Sequence, residues 1–161
     1  PNTPGLRELQ NEEELSALLE GIQQTRLQLE DRHGYRRPLA LKLSPDLDAR
    51  AIPVIAGLLI RHQVDGLIAT NTTLDRKPVE GHRFAAEAGG LSGAALRERS
   101  RDVLAGFHRE LGDEIPIISV GGIDSAEEAR QRFDAGARLI QLYTGLIYRG
   151  PGLVNDIVRS L

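Results

Sequence analysis

Hydrophobic residues along this chain alternate between two spacings, one typical of strands and the other of helices. Four short apolar runs predict β-strands, at residues 38–44, 66–69, 115–120 and 139–143. Five segments repeat their apolar residues every three or four positions and predict helices, at residues 11–34, 46–62, 92–107, 125–136 and 150–161. Because strands and helices follow one another in turn, the sequence predicts an α/β fold with a parallel sheet.

Local signals refine the ends of these elements. Ser125 followed by Glu128 has the spacing of a capping box, and Asn11 begins the first helix with a similar pattern. Pro53, inside the second helical segment, predicts a later start or a kink. Residues 74–91 have no periodicity, so they predict a long loop, which in a compact domain is usually a functional lid or a disordered segment.

Lys42 is a charged residue in the middle of an apolar strand. It lies on the opposite face of that strand from Leu39, Leu41 and Leu43. In a barrel the leucines would pack under the helices and Lys42 would point into the barrel mouth. A lysine within a buried strand is costly unless an anion meets it, so ligand contact is favoured over a snorkelling edge lysine.

The other predicted strands also end in groups that suit a ligand. Residues 70–72 place a threonine, an asparagine and a threonine in a row, and Asn71 and Thr72 are the predicted ligand contacts. Gly121-Gly122 and Tyr143-Thr144-Gly145 resemble the paired phosphate loops that follow the last two strands of a (β/α)8 barrel. In that fold all these ends lie on one face, where the active site is found.

Gly93 adds a further candidate contact, because a glycine at a helix start allows close approach of the backbone to a ligand. Together with Lys42, the hydroxyls, amides and glycines at the strand ends suit a phosphate-bearing organic cofactor. The residues alone leave flavin, pyridoxal phosphate and a sugar phosphate open.

Composition narrows the remaining possibilities. The 161 residues predict four strand–helix repeats, whereas a closed (β/α)8 barrel needs about 250 residues. With no methionine in the sequence, we expect residues 1–161 to be the carboxyl-terminal part of one barrel domain in a longer polypeptide.

A net charge of -3 without a basic run gives no support for nucleic-acid binding. The absence of cysteine excludes disulfides and cysteine metal sites, and the four histidines lack metal-ligand spacing, so no metal site is predicted.

Six segments resemble the dihydroorotate dehydrogenase family, in its quinone-linked (class 2) type: PNTPGLREL, LALKLSPD, DGLIATNTTLDR, GGLSGAAL, PIISVGGIDSAEEA and IQLYTGLIYRGP. The resemblance covers essentially the whole chain. The combination of PNTPGLR, NTTLDR and GGLSG is its specific part, whereas GG and YTG alone occur in many flavin barrels. The resemblance implies a (β/α)8 barrel that binds FMN and oxidises dihydroorotate to orotate, with a quinone as final electron acceptor, in pyrimidine (UMP) biosynthesis.

The resemblance also implies roles for individual residues. Lys42 matches the family lysine that contacts the flavin ring, where a cation near the N1/O2 edge stabilises the negative charge of reduced FMN. Further contacts to the cofactor match Thr70, Gly93, Gly122, Tyr143 and Thr144. Contacts to orotate match Asn2, Asn71 and Thr72, of which Asn2 comes from the resemblance alone.

In this family the general base, a serine in the quinone-linked type, matches the position immediately before Pro1. No catalytic residue is therefore expected in this chain, which by itself is expected to be inactive. The resemblance further implies amino-terminal helices that bind the membrane surface and quinone, and a peripheral location at the cytoplasmic face of the bacterial inner membrane.

Two alternatives stay open at this point. One is another phosphate-site barrel enzyme, such as a sugar-phosphate isomerase or an aldolase. The other is a non-catalytic half-barrel that binds a phosphate, or that self-associates to bury the open edges of its sheet.

Overall fold

A computed structural model of the protein describes residues 8–161. This range contains four strands: β1 (Ala40–Leu43), β2 (Gly66–Ala69), β3 (Ile117–Val120) and β4 (Ala137–Gln141). The same residues form six α-helices: α1 (Glu12–His33), α2 (Ala51–Arg61), α3 (Arg97–Leu111), α4 (Ala126–Asp134), α5 (Thr144–Arg149) and α6 (Gly152–Ser160). Short 3-10 helices lie at Glu8–Gln10, Lys77–Val79 and Gly93–Leu96. None of the described helices is long and apolar enough to cross a membrane.

The described strands form one parallel sheet in the order β1-β2-β3-β4. Strands that are neighbours in the sheet are also neighbours in the chain, with helical segments between them. The strand register aligns four residues across the sheet, Lys42, Ile68, Ile118 and Leu139. Sequential parallel pairing with intervening helices is the arrangement found in (β/α)8 barrels, and the predicted parallel α/β fold is confirmed.

One face of the sheet is covered by helices and forms the main core. Leu43, Leu67 and Ile117 on this face are each at most 1% exposed. Leu104 and Phe107 of α3 pack in the same cluster and are fully buried. A smaller cluster joins α4 to α6: Ile123, Ala129, Leu153 and Ile157. Each fully buried aliphatic or aromatic side chain contributes about 1.5–3 kcal/mol, so this face fixes the sheet against the helices.

The opposite face of the sheet is open. Ala40, Lys42 and Leu139 are exposed there, and no described element covers them. The predicted alternation is confirmed, since Leu41 and Leu43 pack against the helix-covered core. Lys42 lies exposed on the uncovered face, opposite the leucines, as the alternation predicts.

Helix boundaries depart from the pattern where side chains find other partners. Ser125 caps α4 by accepting a hydrogen bond from the Glu128 amide at 3.1 Å, but the Glu128 carboxylate pairs with Arg132 instead of completing a capping box. α2 begins at Ala51, which puts Pro53 in the first turn, where a missing N–H breaks no helical hydrogen bond. The pattern does not predict α5, since six residues are too few to show a helical repeat.

Asp65 fastens the amino ends of β1 and β2 to α1. Its carboxylate accepts hydrogen bonds from the Leu39 amide at 2.7 Å and from the guanidinium groups of Arg26 and Arg36. Burial alone would raise the pKa of Asp65, but these hydrogen bonds and the two positive charges hold that pKa below its ordinary value of 3.8. The ionised form of Asp65 therefore stabilises the fold.

We expect Asp65→Asn to lower the free energy of unfolding at neutral pH and to have less effect in acid. Because the folded-state pKa is lowered, the contribution is fully present above about pH 3.8 and is lost as the pH falls through the lowered pKa. Chemical denaturation of both proteins over a pH series measures the difference. The exposed pair Arg138–Asp113 supplies a control, since Asp113→Asn should cost less than about 1 kcal/mol throughout. A difference that widens in acid would contradict the prediction.

Candidate functional site

The carboxyl ends of the described strands surround a cavity of about 490 Å³. Eight residues predicted from the sequence line it together: Lys42, Thr70, Asn71, Thr72, Gly93, Gly122, Tyr143 and Thr144. Asn2, which was also predicted, lies outside the described residues. The structure thus brings the described candidates to one place, while their binding roles remain predictions.

The segment after β2 is held between its two neighbouring strands. The Thr70 amide donates to the carbonyl of Val120 at 2.9 Å, and the Asn71 amide donates to the carbonyl of Leu43 at 2.7 Å. The Oδ1 of Asn71 accepts a hydrogen bond from the Thr72 amide at 2.8 Å, which fixes the side chain. The Nδ2 of Asn71 has no acceptor among the described residues, so its two N–H donors are available to a ligand.

The loop at residues 74–91 is anchored at its base, outside the cavity. Arg99 donates to Asp46 at 2.6 Å, and the Thr73 hydroxyl donates to the same carboxylate. Thr73 and Leu91 form an isolated antiparallel bridge that closes the loop. The loop is long, as predicted, and it leaves and rejoins the rim of the cavity at fixed points.

Two of the predicted glycines allow backbone segments to approach closely at the rim. Gly122 has a φ of +76°, and a Cβ there would lie 2.5 Å from the Cα of Arg97. Gly93 has a φ of +77°, and a Cβ there would lie 3.1 Å from the Cγ2 of Thr144. Both conformations are strained for any residue with a side chain. The hydroxyls of Ser92 and Thr144 lie 3.0 Å apart and join two of the loops at the rim.

Ser92 and Gln141 also line the cavity, although the sequence did not single them out, and so does Gly145, which ends the predicted phosphate loop after β4. A Cβ on Gly145 would lie 2.2 Å from the carbonyl oxygen of Ile123, so α5 packs directly on the segment that follows β3. All three residues lie within the motifs GGLSGAAL and IQLYTGLIYRGP, which carry the family resemblance. The motifs were therefore the signal that would have found them.

The described lining of this cavity contains Lys42 and no acidic side chain. Lys42 forms no ion pair or hydrogen bond with any described residue. A second cavity of about 470 Å³ adjoins the first and shares Gly93, Gly122 and Thr144 with it. It is also lined by Arg149 and by Asp124, whose carboxylate pairs with Arg97. A cation, glycine backbone and several hydroxyls suit an anionic ligand. Among residues 8–161 no group of three or more histidine, aspartate or glutamate side chains is placed to hold a metal ion.

The fold and the site together define a class of protein. Parallel strands alternating with helices, with the polar and glycine residues gathered at the carboxyl ends of the strands, are half of a (β/α)8 barrel with a ligand site at its usual face. The family model described as dihydroorotate dehydrogenase matches residues 1–161, so the chain belongs to the dihydroorotate dehydrogenase family.

Individual relatives agree with the family. A dihydroorotate dehydrogenase (quinone) of Vibrio atlanticus is 53% identical over 161 residues, which are 100% of this chain and 48% of that protein. A dihydroorotate dehydrogenase (quinone) of Chromobacterium violaceum is 54% identical over 160 residues, 99% of this chain and 46% of the relative. The chain thus spans about half the length of these curated relatives.

A solved structure shows the same likeness in three dimensions. The dihydroorotate dehydrogenase (DHODH) of Eimeria tenella, crystallised in complex with ferulenol, is 32% identical and superposes with a TM-score of 0.91. The superposition covers 99% of this chain and 46% of that one. The predicted fold class, half of a (β/α)8 barrel, is confirmed.

We expect Gly145→Ala to lower the free energy of unfolding by about 1–3 kcal/mol, because the added methyl group overlaps the Ile123 carbonyl and must push α5 away from the turn after β3. Gly21→Ala is the matched control. A Cβ on Gly21 of α1 would meet no atom within 4 Å, and alanine is the better helix former by about 1 kcal/mol. Denaturant unfolding of both variants measures the effects. Equal stability of the two variants would show that the contact between α5 and the turn is not tight.

Proposed function

We propose that the protein carrying this chain oxidises dihydroorotate to orotate in de novo pyrimidine (UMP) biosynthesis, with FMN as hydride acceptor and a quinone as final electron acceptor. The observation that carries the proposal is the single cavity lined by all eight described candidates and by no acidic side chain. Membership of the dihydroorotate dehydrogenase family supports the choice of reaction.

The residues at the rim fit FMN in size, charge and donor set. A cavity of about 490 Å³ falls within the range of about 300–1,000 Å³ usual for small-molecule sites. The glycine backbone around Gly93 and Gly122, with the Thr144 hydroxyl, would hold the phosphate and ribityl chain. Lys42 and Thr70 would contact the flavin ring, and Tyr143 would be a further contact to the cofactor. When bound, FMN supplies the acceptor for the hydride that leaves C6 of dihydroorotate.

Asn71 and Thr72 are the proposed substrate contacts within the described residues. The Asn71 side chain is held by the Thr72 amide and its Nδ2 has no acceptor among the described residues, so it could donate to an oxygen of orotate. Asn2 is proposed as an additional contact. The proposed base that removes the C5 proton precedes Pro1, so no residue of this chain is assigned to catalysis of proton transfer.

The quinone acceptor and the membrane surface are proposed partners, bound through segments other than residues 1–161. The description of the relatives as quinone enzymes supports the quinone acceptor. Because a lipid-soluble quinone resides in the membrane, binding at the membrane surface follows from that choice of acceptor. We place the enzyme peripherally at the cytoplasmic face of the bacterial inner membrane.

The experiment that tests the reaction uses the intact protein that carries this chain. The purified protein should show a flavin absorption band that is bleached by dihydroorotate without oxygen and restored by a quinone, with one orotate formed per dihydroorotate consumed. A flavin-free protein that binds a sugar phosphate would favour another barrel enzyme. A protein that binds phosphate esters without turnover would favour a non-catalytic role.

We expect Lys42→Met to lower kcat/KM for dihydroorotate by about 100-fold or more, because Lys42 supplies the positive charge that meets the negative charge developing on the ring. Lys42→Arg keeps the charge and should retain part of the activity. Lys77→Met is the matched control, since Lys77 is the other lysine of the chain and lies exposed in the loop at residues 74–91. Equal activity of Lys42→Met and Lys77→Met, measured by steady-state kinetics, would remove Lys42 from the mechanism.

A further inference from the structure

A buried arginine lies behind the Gly121-Gly122 turn, outside the lining of the cavity. Arg132 of α4 is 0% exposed. Its five hydrogen bonds match the five N–H donors of a guanidinium group. The acceptors are Oε1 of Glu128 at 2.7 Å, the hydroxyls of Ser100 at 2.8 Å and Ser119 at 3.4 Å, and the carbonyls of Arg97 at 2.9 Å and Gly121 at 2.8 Å.

A buried arginine is an energetically costly side chain for a core position. Burying a charged group costs several kcal/mol, and well-packed apolar residues of similar volume often stabilise a protein as well or better. Burial lowers the pKa of Arg132, and the hydrogen bond and charge of Glu128 oppose that shift. The cost points to a use for Arg132 beyond packing.

The hydrogen bonds of Arg132 fix the direction of a peptide group at the rim. The carbonyl of Gly121 accepts from Arg132 and also from the Ser100 hydroxyl at 2.8 Å. In a trans peptide the C=O and the following N–H point in opposite directions, so the Gly122 amide points away from Arg132. No described residue accepts a hydrogen bond from that amide, and Gly122 lines both cavities.

Arg132 also contributes to an excess of positive charge behind the turn. Glu128 accepts from Arg132 and lies 3.6 Å from both Arg97 and Arg101. Arg97 additionally pairs with Asp124 at 2.7 Å. Three guanidinium groups therefore face two carboxylates, of which that of Asp124 lines the second cavity. Arg132 is fully buried, whereas the Arg97 and Arg101 side chains are 35% and 34% exposed, so solvent partly screens the attraction of their charge for an anion at the turn.

We propose that Arg132 is a positioning residue for the cofactor phosphate: it orients the Gly121-Gly122 peptide toward the phosphate and supports it with buried positive charge, without touching it. This inference rests on the proposed function, because the phosphate belongs to FMN. It concerns the affinity for one part of the cofactor, so binding measurements test it apart from turnover.

A comparison with riboflavin, which lacks the phosphate, isolates the effect of Arg132 on phosphate binding. With the intact protein freed of flavin, fluorescence titration gives Kd for FMN and for riboflavin. We expect Arg132→Met to weaken FMN binding by about tenfold or more and riboflavin binding by less than about twofold. Arg132→Lys keeps the charge but loses the paired donors, so its preference for FMN should lie between those of wild type and Arg132→Met.

Arg26→Met is the matched control for the loss of a buried arginine. The Arg26 side chain is 11% exposed and pairs with Asp65 at the opposite end of the strands, so this variant should lose stability and keep the FMN preference. A wild-type protein with no preference for FMN over riboflavin would overturn the proposed function. A wild-type preference that persists unchanged in Arg132→Met, or in Arg132→Lys where the methionine variant does not fold, would overturn only the role of Arg132.

Discussion

The site depends on the register of the parallel strands, and the register depends on which side chains can be buried. Moving β1 by one residue would turn Leu41 and Leu43 away from the helices and bring Lys42 into the core. Each exposed leucine would cost about 1.5–3 kcal/mol, and a buried unpaired lysine would cost more. With that register fixed, the Asn71 amide meets the carbonyl of Leu43 at 2.7 Å, and the candidate ligand groups reach the same rim.

This dependence explains how much of the molecule the sequence predicts. Strand alternation around Lys42 is a local property with a period of two residues, and so it is visible in one dimension. Parallel topology then brings the ends of β1 to β4 together without any knowledge of contacts. The described candidate residues follow from those two rules and from motifs of the family. Their roles toward FMN and orotate rest on the resemblance alone.

The features that the sequence does not predict are set by residues far apart in the chain. Gly145 faces Ile123, 22 positions earlier, and only the packed structure shows that no Cβ fits between them. Glu128 satisfies the local pattern of a capping box, but pairing with the buried Arg132 outweighs a second capping hydrogen bond.

The proposed ligands would bring negative charge to the rim in two physically different ways. At the Gly121-Gly122 turn the charge of the proposed phosphate ester would be permanent, and it would be met by a peptide dipole that Arg132 and Ser100 hold in place before any ligand arrives. Near Lys42 the charge would develop only during the proposed reaction, and it would be met by a cation that has no hydrogen-bond or ion-pair partner among the described residues. Groups that are already in place stabilise either kind of charge best, because the site then requires no reorganisation. The proposed phosphate contact follows β3 and the proposed ring contact lies on β1, so the two kinds of charge would be met at separate strands of one sheet.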